Sequence, residues 1–246
     1  MSGPRPWPAP TRPWLFRQTW HDLLFAHWPV ATAAVRALVP PGLDLDTFDG
    51  AAWLGVVPFR MTIRVRGLPP IPGFHAFPEL NVRTYVTVEG KPGVWFLSLD
   101  ADNAAAVAAA RRWYHLPYFR ARMECLARGD GIAYSCERVH AGAPTAEFRG
   151  EYRPTAAPFL ARPGSLEHWL TERYCLYARS PAGAILRGEI DHPPWRLQPA
   201  EATIERNTMA ASHGLSVGDA PPLLHFARDQ FVRVWTIREV TPAGTS

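Results

Sequence analysis

Lysine is nearly missing from this chain. Of its 26 basic residues, Lys91 is the single lysine, the others all being arginine. A guanidinium stays protonated and is not a nucleophile, so any mechanism that needs an imine-forming amine has one residue to draw on. That residue lies in Gly90-Lys91-Pro92-Gly93, a turn in which an amine is normally exposed and of ordinary basicity. Cysteine is scarce too: Cys125, Cys136 and Cys175 are odd in number and form no C-x-x-C pair, which argues against a disulfide framework or a zinc site and predicts buried free thiols. The nine histidines show no H-E-x-x-H or similar ligand spacing, so neither a metal nor a cofactor is expected. Long apolar runs of about 18 residues are absent, which excludes a membrane-spanning helix. The opening stretch MSGPRPWPAPTRPW lacks the apolar centre of a signal peptide, so the expected location is cytoplasmic.

What is present suits a packed core. At 47% apolar and 20% charged the chain resembles an ordinary globular protein. The first fourteen residues hold five prolines and two tryptophans without periodicity and are read as a tail or strap, with residues 15–246 as one domain. The net charge of +4 is spread singly along strand-like segments rather than along one helix, which argues against a nucleic-acid partner. A small-molecule ligand is the expected partner, without a membrane, and a homo-oligomer is left open.

Period-two alternation dominates. From Val57 to Val65 the odd positions are Val57, Phe59, Met61, Ile63 and Val65, while the even ones carry Arg60, Thr62 and Arg64, the pattern of a strand with one apolar face. In Glu79 to Glu89, Leu80, Val82, Val86 and Val88 share one face and Glu79, Asn81, Arg83 and Tyr85 the other. The turn at residues 90–93 joins this strand to Val94–Asp100 as a hairpin. Further strands are predicted over 118–127, 132–140, 146–153, 173–179, 184–192, 202–207, 223–228 and 231–239. Gln18–Trp28 reads equally as strand or helix. Short helices are predicted from Pro29 to Leu38 and over Ser165–Thr171, and a longer alanine-rich one over Asn103–Tyr114, ended by Leu116-Pro117. The fold class is α+β and strand-dominated: a large, mostly antiparallel sheet curled into a barrel or cone with a few short helices.

Six strings carry a resemblance: LLFAHWPV (23–30), LDTFDGAAWLGVVPFRM (45–61), GLPPIPGFHAFPELNVRTYV (67–86), GVWFLSLDAD (93–102), LPYFRARM (116–123) and LLHFARDQ (223–230). Through them the chain resembles the YqjF-like uncharacterised family, a branch of the acetoacetate decarboxylase-like superfamily. In the decarboxylases a helix ends in F-P-K-K, whose lysine forms the imine, and an upstream strand offers a carboxylate to the same cone-shaped cavity. Leu116-Pro117-Tyr118-Phe119 is similar to the first segment, which puts Tyr118 where the reactive lysine would stand. Glu79 resembles the carboxylate. The resemblance thus implies the fold without its imine chemistry.

If the apolar strand faces pack outward, Arg60, Glu79, Asn81, Arg83 and Tyr118 converge on a lumen suited to a small polar or anionic ligand; the competing reading has these faces meet water. In the first case Glu79 is the candidate general base, with Tyr118 as acid or oxyanion donor if arginines lower its pKa. A buried ion pair without catalytic role is the bland alternative. His115, Arg173, Tyr174 and His192 are further candidate contacts, the histidines also reading as capping or packing residues. Two functions follow from the same residues, an enzyme performing proton transfer, hydration or elimination, and a ligand-binding or sensing protein without turnover. Gly214-Leu215-Ser216-Val217-Gly218 matches the G-x-S-x-G pattern of a hydrolase, with Asp219, His225 and Asp229 nearby, but Pro221-Pro222 forbids the helix that must follow, so a loop is expected.

Overall fold

The computed structural model describes residues 5–71, 75–218 and 220–240; residues 72–74 of the 67–86 string and Asp219 fall outside it. The strands are β1 (Phe16–Val30), β2 (Asp44–Leu45), β3 (Ala52–Val65), β4 (Ala76–Val88), β5 (Lys91–Ala101), β6 (Tyr118–Arg128), β7 (Gly131–Arg138), β8 (Glu147–Pro154), β9 (Phe159–Leu160), β10 (Cys175–Arg179), β11 (Ile185–Asp191), β12 (Arg196–Asn207), β13 (Leu223–Val234) and β14 (Arg238–Glu239). Among the described residues there are three α-helices, α1 (Thr32–Arg36), α2 (Ala104–Trp113) and α3 (Leu166–Thr171), and a 3-10 turn at Ala211–His213.

The strands make one 14-stranded sheet. It is mixed: most pairs are antiparallel, but β5 runs parallel to both β6 and β10. Pairings of β4 with β5 and of β11 with β13 bring the order β11-β10-β5-β4-β3-β1-β13 back to its start, so the sheet runs round a ring. The closing pair is short, Ile190↔Val234 and Asp191↔Arg233.

Apolar side chains fill both sides of the strands that surround the ring. On β1, Leu23 and Phe25 belong to one buried cluster while Leu24, Ala26 and Trp28 belong to another. The same division separates Val57, Phe59 and Met61 from Leu54 and Val56 on β3. Successive side chains of a strand point to opposite faces, so a continuous apolar run marks a strand covered twice. This settles Gln18–Trp28 as strand.

Other boundaries differ from the sequence reading. Pro29 and Val30 finish β1, and the helix expected there begins only at Thr32. The two strands expected at 223–228 and 231–239 are one through Val234, because Arg228 and Asp229 lie exposed on a strand paired with β1 along its length. α2 matches its expected span, with Asn103 accepting from Ala106 N–H as N-cap at 2.9 Å. α3 is capped by Ser165 in the same way, at 3.3 Å. The proline-rich segment is tied down where it is described: Arg5 donates to the Ile190 carbonyl and Glu189, Trp7 Nε1 donates to Glu189 at 3.0 Å, and Leu15 N–H bonds Val234 O at 2.8 Å.

Candidate active site

The ring surrounds a cavity of about 720 Å³, within the range of small-molecule pockets, about 300–1,000 Å³. Cross-strand partners project to the same side of a sheet, and the register pairs Phe59 with Glu79 and Val57 with Asn81. The apolar side of β3 therefore shares the lumen with the polar side of β4. Val57, Phe59, Met61, Ile63, Glu79, Asn81 and Arg83 all line it.

This overturns half of the expected face assignment. Arg60 shares the outer face with Pro78, its side chain 41% exposed and 3.8 Å from Asp22, and takes no part in the cavity. His115 is also absent from the lining. It adopts a left-handed φ of 53° just after α2, where its backbone lets Leu116 N–H reach back to the Ala110 carbonyl at 3.5 Å; it ends the helix. Tyr174 lies behind the wall, stacked on His192 at 4.5 Å and donating to Glu172 at 2.5 Å. Arg173 and His192 do line the cavity, with Thr171 beside them.

Glu79 and Tyr118 meet directly. Tyr118 begins β6 opposite Leu99 of β5, and its hydroxyl donates to Glu79 Oε2 at 2.9 Å. Glu79 is 3% exposed, and burial pushes its carboxyl up to about 8, against the lowering effect of bonds from Tyr118 and Asn81. Desolvation is the leading cause, since the charged form loses most on leaving water. Burial and the neighbouring carboxylate hold the Tyr118 phenol well above its ordinary value. The expected lowering by arginines does not occur: the phenol is a hydrogen-bond donor here, not an acid near neutrality.

Arg83 stands four residues further along β4 on the same face, 8% exposed. Its guanidinium lies over the rings of Phe25 at 5.2 Å and Tyr85 at 5.7 Å, and Nη2 donates to Leu170 O at 3.2 Å. Nε has no partner, and among the described residues no carboxylate pairs with this arginine. The facing position on β3 is Gly55, where a Cβ would come within 3.0 Å of the His27 ring and 3.3 Å of Arg83 Cγ. Glycine thus makes room for both. His27 is bonded to Tyr85 Oη at 2.7 Å and held neutral by burial, then by Arg83. Arg173, in contrast, is compensated by Asp46 at 2.6 Å, although its Nη2 is unpartnered. As a neutral ring His192 donates from Nε2 to Arg173 O at 3.1 Å and accepts at Nδ1 from the Gln230 side-chain amide at 3.2 Å. Burial lowers its pKa, so it is a neutral wall residue.

Sequence reasoning missed Asp46 and the aromatic lining. Asp46 gave no signal, since its contact with Arg173 spans 127 residues; Trp20, Phe96 and Trp195 line the cavity but read like any core aromatic. Trp169 packs on Tyr85 at 4.7 Å and Phe48 at 5.8 Å behind the cavity wall. Ser216 is exposed in a loop after a 3-10 turn, its hydroxyl accepting from Gly218 N–H at 3.3 Å, while His225 meets Phe159 edge to face and Asp229 pairs with His21. No nucleophile elbow forms. Among the described residues no cluster of metal-ligating groups occurs, and no helix is long and apolar enough to cross a membrane.

The fold is that of acetoacetate decarboxylase-like enzymes. It superposes on the enduracididine biosynthesis enzyme MppR complexed with pyruvate at a TM-score of 0.66 with 12% identity, covering 98% of each chain. An acetoacetate decarboxylase-like enzyme from Sphingomonas wittichii RW1 gives 0.64 with 13% identity over 98% of this chain and 100% of that one. Acetoacetate decarboxylase from Legionella pneumophila gives 0.63 with 12% identity over 99% and 97%. At such identities the likeness speaks for fold alone. Within that fold the chain belongs to the DUF2071 family, described as an uncharacterised conserved protein, whose pattern matches residues 17–230. It is 50% identical to the uncharacterised protein YqjF of Bacillus subtilis (strain 168) over 227 residues, 92% of this chain and 93% of that one.

Proposed function

We propose that the protein is an enzyme that moves a proton on a small polar or anionic substrate through Glu79, without a lysine imine. The observation that carries this reading is the Glu79 carboxyl, raised to about 8 and bonded by Tyr118 at 2.9 Å at the wall of an apolar cavity. A general acid or base works best with a pKa near the operating pH. At pH 7 a group of pKa about 8 is roughly 10% ionised, so both forms are at hand. Tyr118 steadies the ionised form by donating to it. Arg83 supplies positive charge for an anionic group of the substrate.

The imine route is disfavoured by placement. Lys91 starts β5 opposite Val88, about 30 Å along β4 from Glu79 at strand spacing. By the resemblance of Leu116-Pro117-Tyr118-Phe119 to the decarboxylase segment, a phenol occupies the place of the amine. Enolisation next to a carbonyl, hydration and elimination all remain open to a carboxyl–phenol pair.

Incubation with a metabolite pool in deuterated water tests the reading. A carbonyl- or carboxylate-containing compound is expected to gain deuterium or convert to product, and Glu79→Gln to abolish it. Ligand retention without deuterium uptake or product, unchanged by Tyr118→Phe, would instead make the chain a binding or sensing protein. That second reading draws its support from Arg83, whose unpaired charge suits an anion whether or not chemistry follows.

A further inference from the structure

The cavity has two unlike ends. At one, Asn81, Arg83, Thr171, Arg173 and His192 are all buried. At the other, the lining passes through Met61, Ile63 and Phe77 to Ile71, 42% exposed, and Trp113, 66% exposed. The opening is therefore apolar and the polar end is closed. Glu79 sits between them: Arg83 is four residues away on β4, about 13 Å of strand, and from Phe59, the partner of Glu79, to Val65 is about 20 Å of β3.

We infer that the ligand of this cavity is an elongated amphipathic monocarboxylate, its acid group against Arg83 at the closed end and its apolar body running past Glu79 toward Ile63 and Trp113. This deepens the enzymatic reading above and rests on it. The head group follows from charge. A buried arginine without an acidic partner is costly, and an anion that occupies the cavity relieves that cost. Its Nε is unpartnered, as are Asn81 Oδ1 and Arg173 Nη2, which leaves two donors for a carboxylate and one acceptor for a hydroxyl or amide beside it. A dianion suits the site less well, because Arg173 is already neutralised by Asp46 at 2.6 Å. The body follows from size and lining. A three- or four-carbon acid would fill a small part of about 720 Å³ and would leave the wall of Phe59, Met61, Ile63 and Phe77 facing water, a surface that favours contact with methylenes or rings.

Calorimetric titration with unbranched saturated monocarboxylates from butanoate to dodecanoate, and with the matching primary alcohols, tests this. Kd is expected to fall about fourfold per added methylene until a plateau, and each alcohol to bind at least about tenfold more weakly than its acid. Arg83→Gln should erase the preference for acid over alcohol while keeping the chain-length slope. Ile63→Trp, which narrows the apolar arm, should bring the plateau to shorter chains. A Kd independent of chain length in the unmodified protein would overturn the inference, as would an acid preference undiminished in Arg83→Gln. Chain-length-dependent binding by a protein that gives neither deuterium uptake nor product with the metabolite pool would remove the enzymatic reading alone. Turnover confined to short acids, with no gain from added methylenes, would remove the ligand assignment alone.

Discussion

Replacing Glu79 by glutamine keeps the shape of the side chain and its place beside Tyr118 but removes its titration. The native carboxyl is raised from 4.5 to about 8, chiefly by burial. At about 1.4 kcal/mol per pH unit this amounts to about 5 kcal/mol between the two protonation states. In the unfolded chain the carboxyl ionises near 4.5 while the folded protein retains its proton. Its favourable contribution is thus complete below pH 4.5 and is lost as the pH climbs through about 8, above which the curve is flat. Between pH 5 and 9 the unmodified protein should lose about 4 kcal/mol of stability relative to Glu79→Gln. Urea unfolding of both proteins at half-unit pH intervals measures this difference directly. Other groups that titrate in the same window are common to both proteins and cancel. Parallel stability curves across that range would show that the carboxyl ionises normally in the folded state, and the acid–base role would lose its basis.

Tyr118→Phe removes a hydrogen bond that lowers the Glu79 pKa, so the carboxyl should titrate at still higher pH, read from its infrared carbonyl band. Asp100→Asn breaks a doubly bonded, fully buried pair with Arg138, at 2.7 Å on both oxygens, and should cost about 3–5 kcal/mol in urea unfolding; Asp100→Leu combined with Arg138→Met should cost much less, because no buried charge is left alone. Gly55→Ala crowds the His27 ring and Arg83 Cγ, with an expected cost of about 1–3 kcal/mol and weaker anion binding by calorimetry.

Alternation made β3, β4 and the β4–β5 hairpin legible, and the alanine-rich run with its Asn103 cap did the same for α2. What alternation does not carry is which face looks inward. The rule that apolar means core and polar means elsewhere fails for a lumen walled mainly by hydrocarbon: β3 turns Phe59 and Met61 toward the cavity and Arg60 away from it. On β4 the opposite choice holds, because Leu80 and Val82 pack into the second buried cluster and leave Glu79, Asn81 and Arg83 for the interior. Only the register Phe59↔Glu79 reconciles the two strands, and register depends on pairing partners that no single strand announces. The parallel contacts of β5 with β6 and β10 were illegible for the same reason. Alternation put Glu79 on the polar face of its strand, but its role and its pairing with Tyr118, 39 residues away, came from a resemblance to known sequences.

The ring is closed by two residue pairs between β11 and β13, whereas β1 and β13 share a register that runs from Phe16↔Val234 to His27↔Leu223. A closure so short is the place where amide hydrogens exchange first, since opening it breaks few bonds at once. Arg5, Trp7 and Leu15 fasten that same edge through Ile190, Glu189 and Val234, and His192 follows directly on β11 at the closed end of the cavity. The proline-rich segment therefore braces the short closure beside the polar end of the cavity, and its removal should show as faster exchange at Ile190 and Val234 before any change in overall unfolding.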